Sequence, residues 1–114
     1  MARPVKCRRV CAMPEFREFI PAGRMLGDEY IELRVDEYEA IRLIDYLGLS
    51  QEEAAAGMEV SRATIQNMYE AARKKLAAAL VEGKRLRVEG GVYQICPKGR
   101  QCPGKKCCRR GEGI

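Results

Sequence analysis

The stretch Ser50–Met68, SQEEAAAGMEVSRATIQNM, carries two helix starts and the turn between them. Ser50-Gln-Glu-Glu53 is a capping box, in which Ser and the Glu three residues on satisfy each other's backbone amides, and it opens a short Ala-rich helix from Gln51 to about Met58. Met58-Glu59-Val60 makes a turn, and Ser61 caps a long helix from Arg62 to about Val81 that Gly83 ends. Ala54 and Ala55 are small where a second helix must cross closely, while Met58, Val60, Ile65 and Met68 are apolar where two helices share a core. A short helix, a tight turn and a longer second helix are the order of a helix-turn-helix. Such turns usually place Gly where Glu59 stands, to accept positive φ. Two readings stay open: Glu59 carries the strain itself, or the turn differs and Gly57 relaxes it.

Upstream, Tyr38, Ile41, Leu43, Ile44 and Leu47 form an apolar stripe ahead of Gly48, which predicts a first helix. Asp36 followed by Glu39 is its expected capping start. Glu29–Val35 alternates Ile31, Leu33 and Val35 with charged residues, as a short strand or an extended lead-in does. Beyond Gly83, Leu86–Val88, Glu89-Gly-Gly91 and Val92–Ile95 read as a β-hairpin around a glycine turn.

The expected architecture is mainly α: a tri-helical helix-turn-helix core followed by a small β-hairpin, with irregular basic N- and C-terminal tails. Residues 1–34 form the basic arm and lead-in, 35–82 the helical domain, 83–95 the hairpin and 96–114 a Cys-rich basic tail.

The net charge of +5 over 114 residues divides unevenly, as +2 over residues 1–34, −4 over 35–82 and +7 over 83–114. A basic total suits an anionic partner such as nucleic acid. On the long helix, Arg62, Ala63, Gln66 and Asn67 fall on the solvent face with Thr64 beside them. Arg pairs bidentately with guanine, and Gln or Asn with adenine, so this face holds base-reading chemistry for double-stranded DNA. Arg73, Lys74 and Lys75 stand further along, where they would meet phosphates. Arg3, Lys6, Arg8 and Arg9 form a basic arm at one end, and Lys98, Arg100, Lys105, Lys106, Arg109 and Arg110 another. The bland alternative is three packed helices with a solvated polar face. A single module of this kind buries little DNA, so a homodimer is expected, with the hairpin 86–95 as its contact.

Six cysteines without a histidine are unusual for a chain expected in the cytoplasm. Cys96, Cys102, Cys107 and Cys108 crowd a tail that has no core of its own, and are candidate ligands for zinc or an iron–sulfur cluster. Neither they nor the pair Cys7 and Cys11 have the Cys-x2-Cys knuckle of common zinc sites, so free or redox-active thiols stay open. A metal- or redox-sensing regulator and a helical protein-interaction module are the alternative functions. Without His, and with the carboxylates read as lying on exposed helical faces, no enzyme is expected. No apolar run reaches the roughly 18 residues of a membrane span.

Met1-Ala-Arg-Pro4, Cys7-Arg-Arg-Val-Cys11, Asp36-Glu-Tyr-Glu-Ala-Ile-Arg-Leu43, Gln51-Glu-Glu-Ala-Ala55, Val60-Ser-Arg62, Ala72-Arg-Lys-Lys75 and Glu89-Gly-Gly-Val-Tyr93 resemble the domain-of-unknown-function 134 family over roughly residues 1–95. That family consists of predicted DNA-binding proteins, and its helical part is similar to region 4 of the sigma-70 factors. The resemblance implies a tri-helical fold and DNA binding, without a target.

Overall fold

A computed structural model of the chain describes residues 8–23 and 29–95. Chain order is β1 (Arg8–Val10), β2 (Glu18–Phe19), β3 (Tyr30–Leu33), α1 (Val35–Ile41, continued by a π-helical turn Arg42–Tyr46), α2 (Gln51–Met58), α3 (Arg62–Glu82), β4 (Arg85–Val88) and β5 (Tyr93–Ile95). The protein is mainly α with small β elements, as expected.

The two later helices begin and end where their capping residues stand. Ser50 Oγ accepts the Glu53 amide at 3.0 Å while the Glu53 carboxylate accepts the Ser50 amide at 2.9 Å. Ser61 Oγ accepts the Thr64 amide at 3.1 Å, and Gly83 closes α3 at φ +67°. The first helix starts differently from its expected Asp36/Glu39 cap. Arg34 is the N-cap, and the Glu37 carboxylate accepts the Arg34 amide at 3.0 Å. Asp36 lies within the first turn, and it and Glu39 are turned inward to other partners. At the other end Leu47 donates to the Arg42 carbonyl at 2.9 Å, the wide turn, and Gly48 at φ +82° lets the chain leave.

Ala54, Ala55 and Met58 of α2, Ile65, Met68 and Ala72 of α3, and Ala40 and Leu43 at α1 form one buried cluster with Leu33, Leu86 and Val88 of the strands. Small alanines bring α2 and α3 into close contact, and the residues at spacings of three and four on α3 face inward together.

The expected hairpin is not formed. In the three-stranded sheet β4 lies between β2, antiparallel, and β3, parallel, whereas β5 pairs in parallel with β1. Gly90 and Gly91 serve a close approach rather than a strand reversal. Both have positive φ, +79° and +94°, and the Gly90 carbonyl accepts the Val35 amide at 3.1 Å, at the start of α1. A side chain at Gly90 would collide with the Glu32 carboxylate, and one at Gly91 would put Cβ 2.6 Å from Asp36 Oδ1. The chain thus crosses over the N-terminus of α1 and moves from one sheet to the other. β4 has a strand on each side and so offers no free edge for pairing. The lead-in 29–34 is a true strand from Tyr30 to Leu33, and its partner is β4, some 55 residues on (Tyr30 opposite Arg85).

Candidate nucleic-acid interface

The surface expected to read bases is built on the first two turns of α3. Ser61 fixes the helix start and its hydroxyl also donates to Thr64 Oγ1 at 3.0 Å, so Thr64 is half-buried and engaged in the cap. Ile65 and Met68 are buried, which leaves Arg62, Ala63, Gln66 and Asn67 exposed on the outer side. Behind them the turn from α2 carries Glu59 at φ +60°, ψ +45°, the left-handed conformation normally given to Gly. Of the two readings left open by the sequence, Glu59 itself takes the strained position. Its carboxylate accepts from Arg9 Nη1 at 3.0 Å, tying β1 to the turn between α2 and α3.

The cations of this face differ in availability. Arg62 is exposed and reaches Glu52 at only 3.8 Å, a distance at which water competes freely. Arg73 is exposed, stands 3.8 Å from Asp45 and stacks over the Tyr69 ring at 5.3 Å. Asp45 also accepts from the Tyr69 hydroxyl at 2.6 Å, and that hydrogen bond, with a smaller contribution from burial, raises the phenol above its ordinary range. Lys74 is exposed. Lys75 is not a phosphate-facing residue: it is half-buried, with Nζ 2.7 Å from the Glu37 carboxylate. The arm is likewise corrected at Arg8, whose guanidinium binds Asp36 at 3.1 Å and is held against the protein.

Those contacts belong to a buried ionic network that the sequence did not disclose. Asp36, Glu37 and Glu39 are 0, 1 and 2 % exposed, contrary to the expectation that the acids of the helical region lie in solvent. Asp36 is met by Arg8 and by Arg34 at 3.3 Å. Glu37 is met by Lys75 and by the Arg34 amide. Glu39 accepts Arg42 through two hydrogen bonds of 2.9 and 2.8 Å, and the Cys11 amide at 3.2 Å. Burial works to lower the pKa of Arg42, but the paired hydrogen bonds to Glu39 outweigh it and hold the guanidinium above its ordinary value. Carboxylates so buried are stable only when paired and hydrogen-bonded. All three stand in Asp36–Leu43, so one helical turn anchors the N-terminal strand on one side and α3 on the other. The one available signal was three acids within four residues of a stripe otherwise apolar.

Among the described residues no group of three or more His, Cys, Asp or Glu is arranged to hold a metal ion, and no helix is long and apolar enough to cross a membrane. Cys7, Cys96, Cys102, Cys107 and Cys108, the basic residues Arg3 and Lys6, and the C-terminal basic run lie outside the described residues. Cys11 is half-buried beside Glu39.

No solved structure matches this chain. Among curated proteins it is similar to a UPF0251 protein of Desulfitobacterium hafniense, 50 % identical over 112 residues that cover 96 % of this chain and 89 % of the relative. A UPF0251 protein of Halothermothrix orenii is 52 % identical over 103 residues, 90 % of this chain and 76 % of the relative. One of Ruminiclostridium cellulolyticum is 43 % identical over 113 residues, 99 % and 83 %. Residues 1–96 match the family described as "Protein of unknown function DUF134", and the chain belongs to that family.

Proposed function

We propose that this chain is a sequence-specific DNA-binding protein of the cytoplasm, a transcriptional regulator and not an enzyme, that acts as a homodimer and uses α2 and α3 as a helix-turn-helix. The observation that carries the reading is the division of α3. Ile65, Met68 and Ala72 are buried against the rest of the fold, while Arg62, Gln66 and Asn67 are exposed together at the helix start. A helix held rigidly from behind, with Arg and amide side chains projecting from its N-terminal turns, has the chemistry to enter a major groove and pair with guanine and adenine edges. Ala63 between them leaves room for the groove wall or a thymine methyl.

Lys74 and Arg73 are the phosphate contacts on this helix, and Lys75 is withdrawn from that role. Much of the affinity therefore falls to Arg62 and to the basic tails, which together supply a sequence-independent, salt-sensitive attraction. The test is fluorescence anisotropy of a labelled random duplex titrated with the full chain at several salt concentrations. With about four or five phosphates neutralised, log affinity should fall against log salt with a slope of about −4. Absence of any binding at about 50 mM salt, where non-specific attraction is strong, would exclude the reading.

A further inference from the structure

The two-stranded sheet brings cysteines from opposite ends of the sequence within reach of each other. β1 and β5 run in parallel, with Arg8 opposite Tyr93 and Val10 opposite Ile95. Cys11 directly follows Val10 and Cys96 directly follows Ile95, so the next residue after each paired strand is a cysteine. Paired Cα atoms stand about 5 Å apart and each further peptide adds about 3.8 Å, which keeps the two cysteine Cα atoms within roughly 13 Å of each other. β1 occupies all three residues between Cys7 and Cys11, so those two are not joined by the tight turn of a metal knuckle. Cys11 is half-buried, its amide donates to Glu39 Oε2 at 3.2 Å, and the Arg42 guanidinium is near enough to attract a thiolate there. Glu39 does not oppose that thiolate, because Arg42 neutralises it through two hydrogen bonds of 2.9 and 2.8 Å.

We propose that Cys11 and Cys96 are two ligands of one zinc ion, with Cys102 and one of Cys107 and Cys108 completing a tetrahedral thiolate shell. The inference rests on the strand register and the cysteine spacing and not on the DNA reading. With Zn–S bonds of about 2.3 Å, two thiolates on one zinc lie roughly 3.8 Å apart, a gap that side chains on strands about 4.8 Å apart can span. An iron–sulfur cluster is a wider body and spreads its thiolates further. The spacing Cys96-x5-Cys102-x4-Cys107 leaves each intervening segment long enough to turn back, and Gly99 and Pro103-Gly104 are turn residues. Zinc with four thiolates is a dianion, and residues 96–114 offset it with Lys98, Arg100, Lys105, Lys106, Arg109 and Arg110 against the single acid Glu112. The same segment has too few apolar side chains to order itself by burial, so a bound ion takes the place of a core. Cys11 also adjoins the strand whose Arg9 binds Glu59 at 3.0 Å, so the ion ties the basic C-terminal segment to the strand that holds the α2–α3 turn.

The test is metal analysis of the full chain purified without air, followed by zinc titration against a chromogenic chelator. One zinc per chain is expected, and cobalt added to the reduced, metal-free chain should give the strong visible absorption of tetrahedral thiolate coordination. Cys11→Ser and Cys96→Ser should each weaken zinc binding by about 100-fold or more, while Cys7→Ser should change it less than about threefold. A second readout uses the unaltered chain and stands even if Cys11→Ser misfolds. Zinc should slow alkylation of Cys11 and Cys96 relative to the metal-free chain and leave Cys7 as reactive as before. A chain that binds neither zinc nor cobalt, or that carries a Cys11–Cys96 disulfide instead, overturns the proposal. Iron in place of zinc overturns it as well. Zinc affinity that survives Cys11→Ser, or zinc that fails to protect Cys11, overturns it by placing every ligand in the C-terminal segment.

Discussion

Lys75 on α3 and Glu37 on α1, 38 residues apart in the chain, are joined by a 2.7 Å ion pair in which the carboxylate is buried and the ammonium reaches in from the surface. The contact ties α3 to α1, and it draws inward a lysine that its sequence neighbours Arg73 and Lys74 would suggest is free on the proposed DNA-facing side.

Removing the lysine should therefore cost stability and not DNA affinity. Lys75→Met leaves Glu37 buried with only the Arg34 backbone and a 3.5 Å guanidinium contact. A loss of about 2 kcal/mol is expected, below the 3–5 typical of a fully buried pair because Lys75 is partly solvated. Adding Glu37→Gln should recover part of that loss, since the amide oxygen still accepts the Arg34 N–H and the unpaired charge is gone. Urea unfolding of the two variants measures both effects. The slope of DNA affinity against salt should be unchanged in Lys75→Met.

Glu59 is held in the left-handed region at a cost of about 1 kcal/mol. Its exposed pair with Arg9 returns less than that. Glu59→Gly is expected to stabilise the protein by about 0.5–1 kcal/mol, whereas Glu59→Ala keeps the strain, loses the pair and should destabilise slightly. Thermal unfolding of both variants separates strain from tether; a Gly variant less stable than the Ala variant would show that the conformation is not the costly feature.

The caps give the third expectation. Ser50→Ala and Ser61→Ala each remove an acceptor for one helix-start amide and should each cost about 1 kcal/mol. They differ in consequence. Ser61 sets the first turn of α3, so its loss should also weaken DNA binding, while Ser50→Ala should leave binding at matched folded concentration unchanged.

The parts of the fold that were legible in the sequence are those set by neighbours. Ser50 with Glu53, Ser61, and Gly83 specify α2 and α3 within a residue or so, and the three-and-four spacing of Ile65, Met68 and Ala72 reports the buried face. What was illegible is non-local. Arg34 does not look like a helix cap, because the acceptor is Glu37 three residues later. Asp36, Glu37 and Glu39 look like solvated acids until Arg8, Arg34, Arg42 and Lys75 are seen around them. Gly90 and Gly91 look like a hairpin turn, yet they are needed where the backbone passes against Glu32, Arg34 and Asp36. Both parallel pairings, β1 with β5 and β3 with β4, join segments from opposite ends of the chain, for which a single sequence carries no periodic sign. The exposed face of α3 followed from helical geometry alone; which of its cations are free did not.

If Arg62, Gln66 and Asn67 read bases, their loss must weaken specific binding far more than non-specific binding. A fragment selected by the wild-type chain from genomic DNA would be titrated alongside a scrambled duplex of equal length, with wild type and Gln66→Ala. Loss of one bidentate base contact of 1–3 kcal/mol should weaken binding to the selected fragment by roughly 5- to 150-fold and leave the scrambled duplex almost unaffected. Equal affinity of the two proteins for the selected fragment, or an equal loss on both duplexes, would contradict base reading at the start of α3.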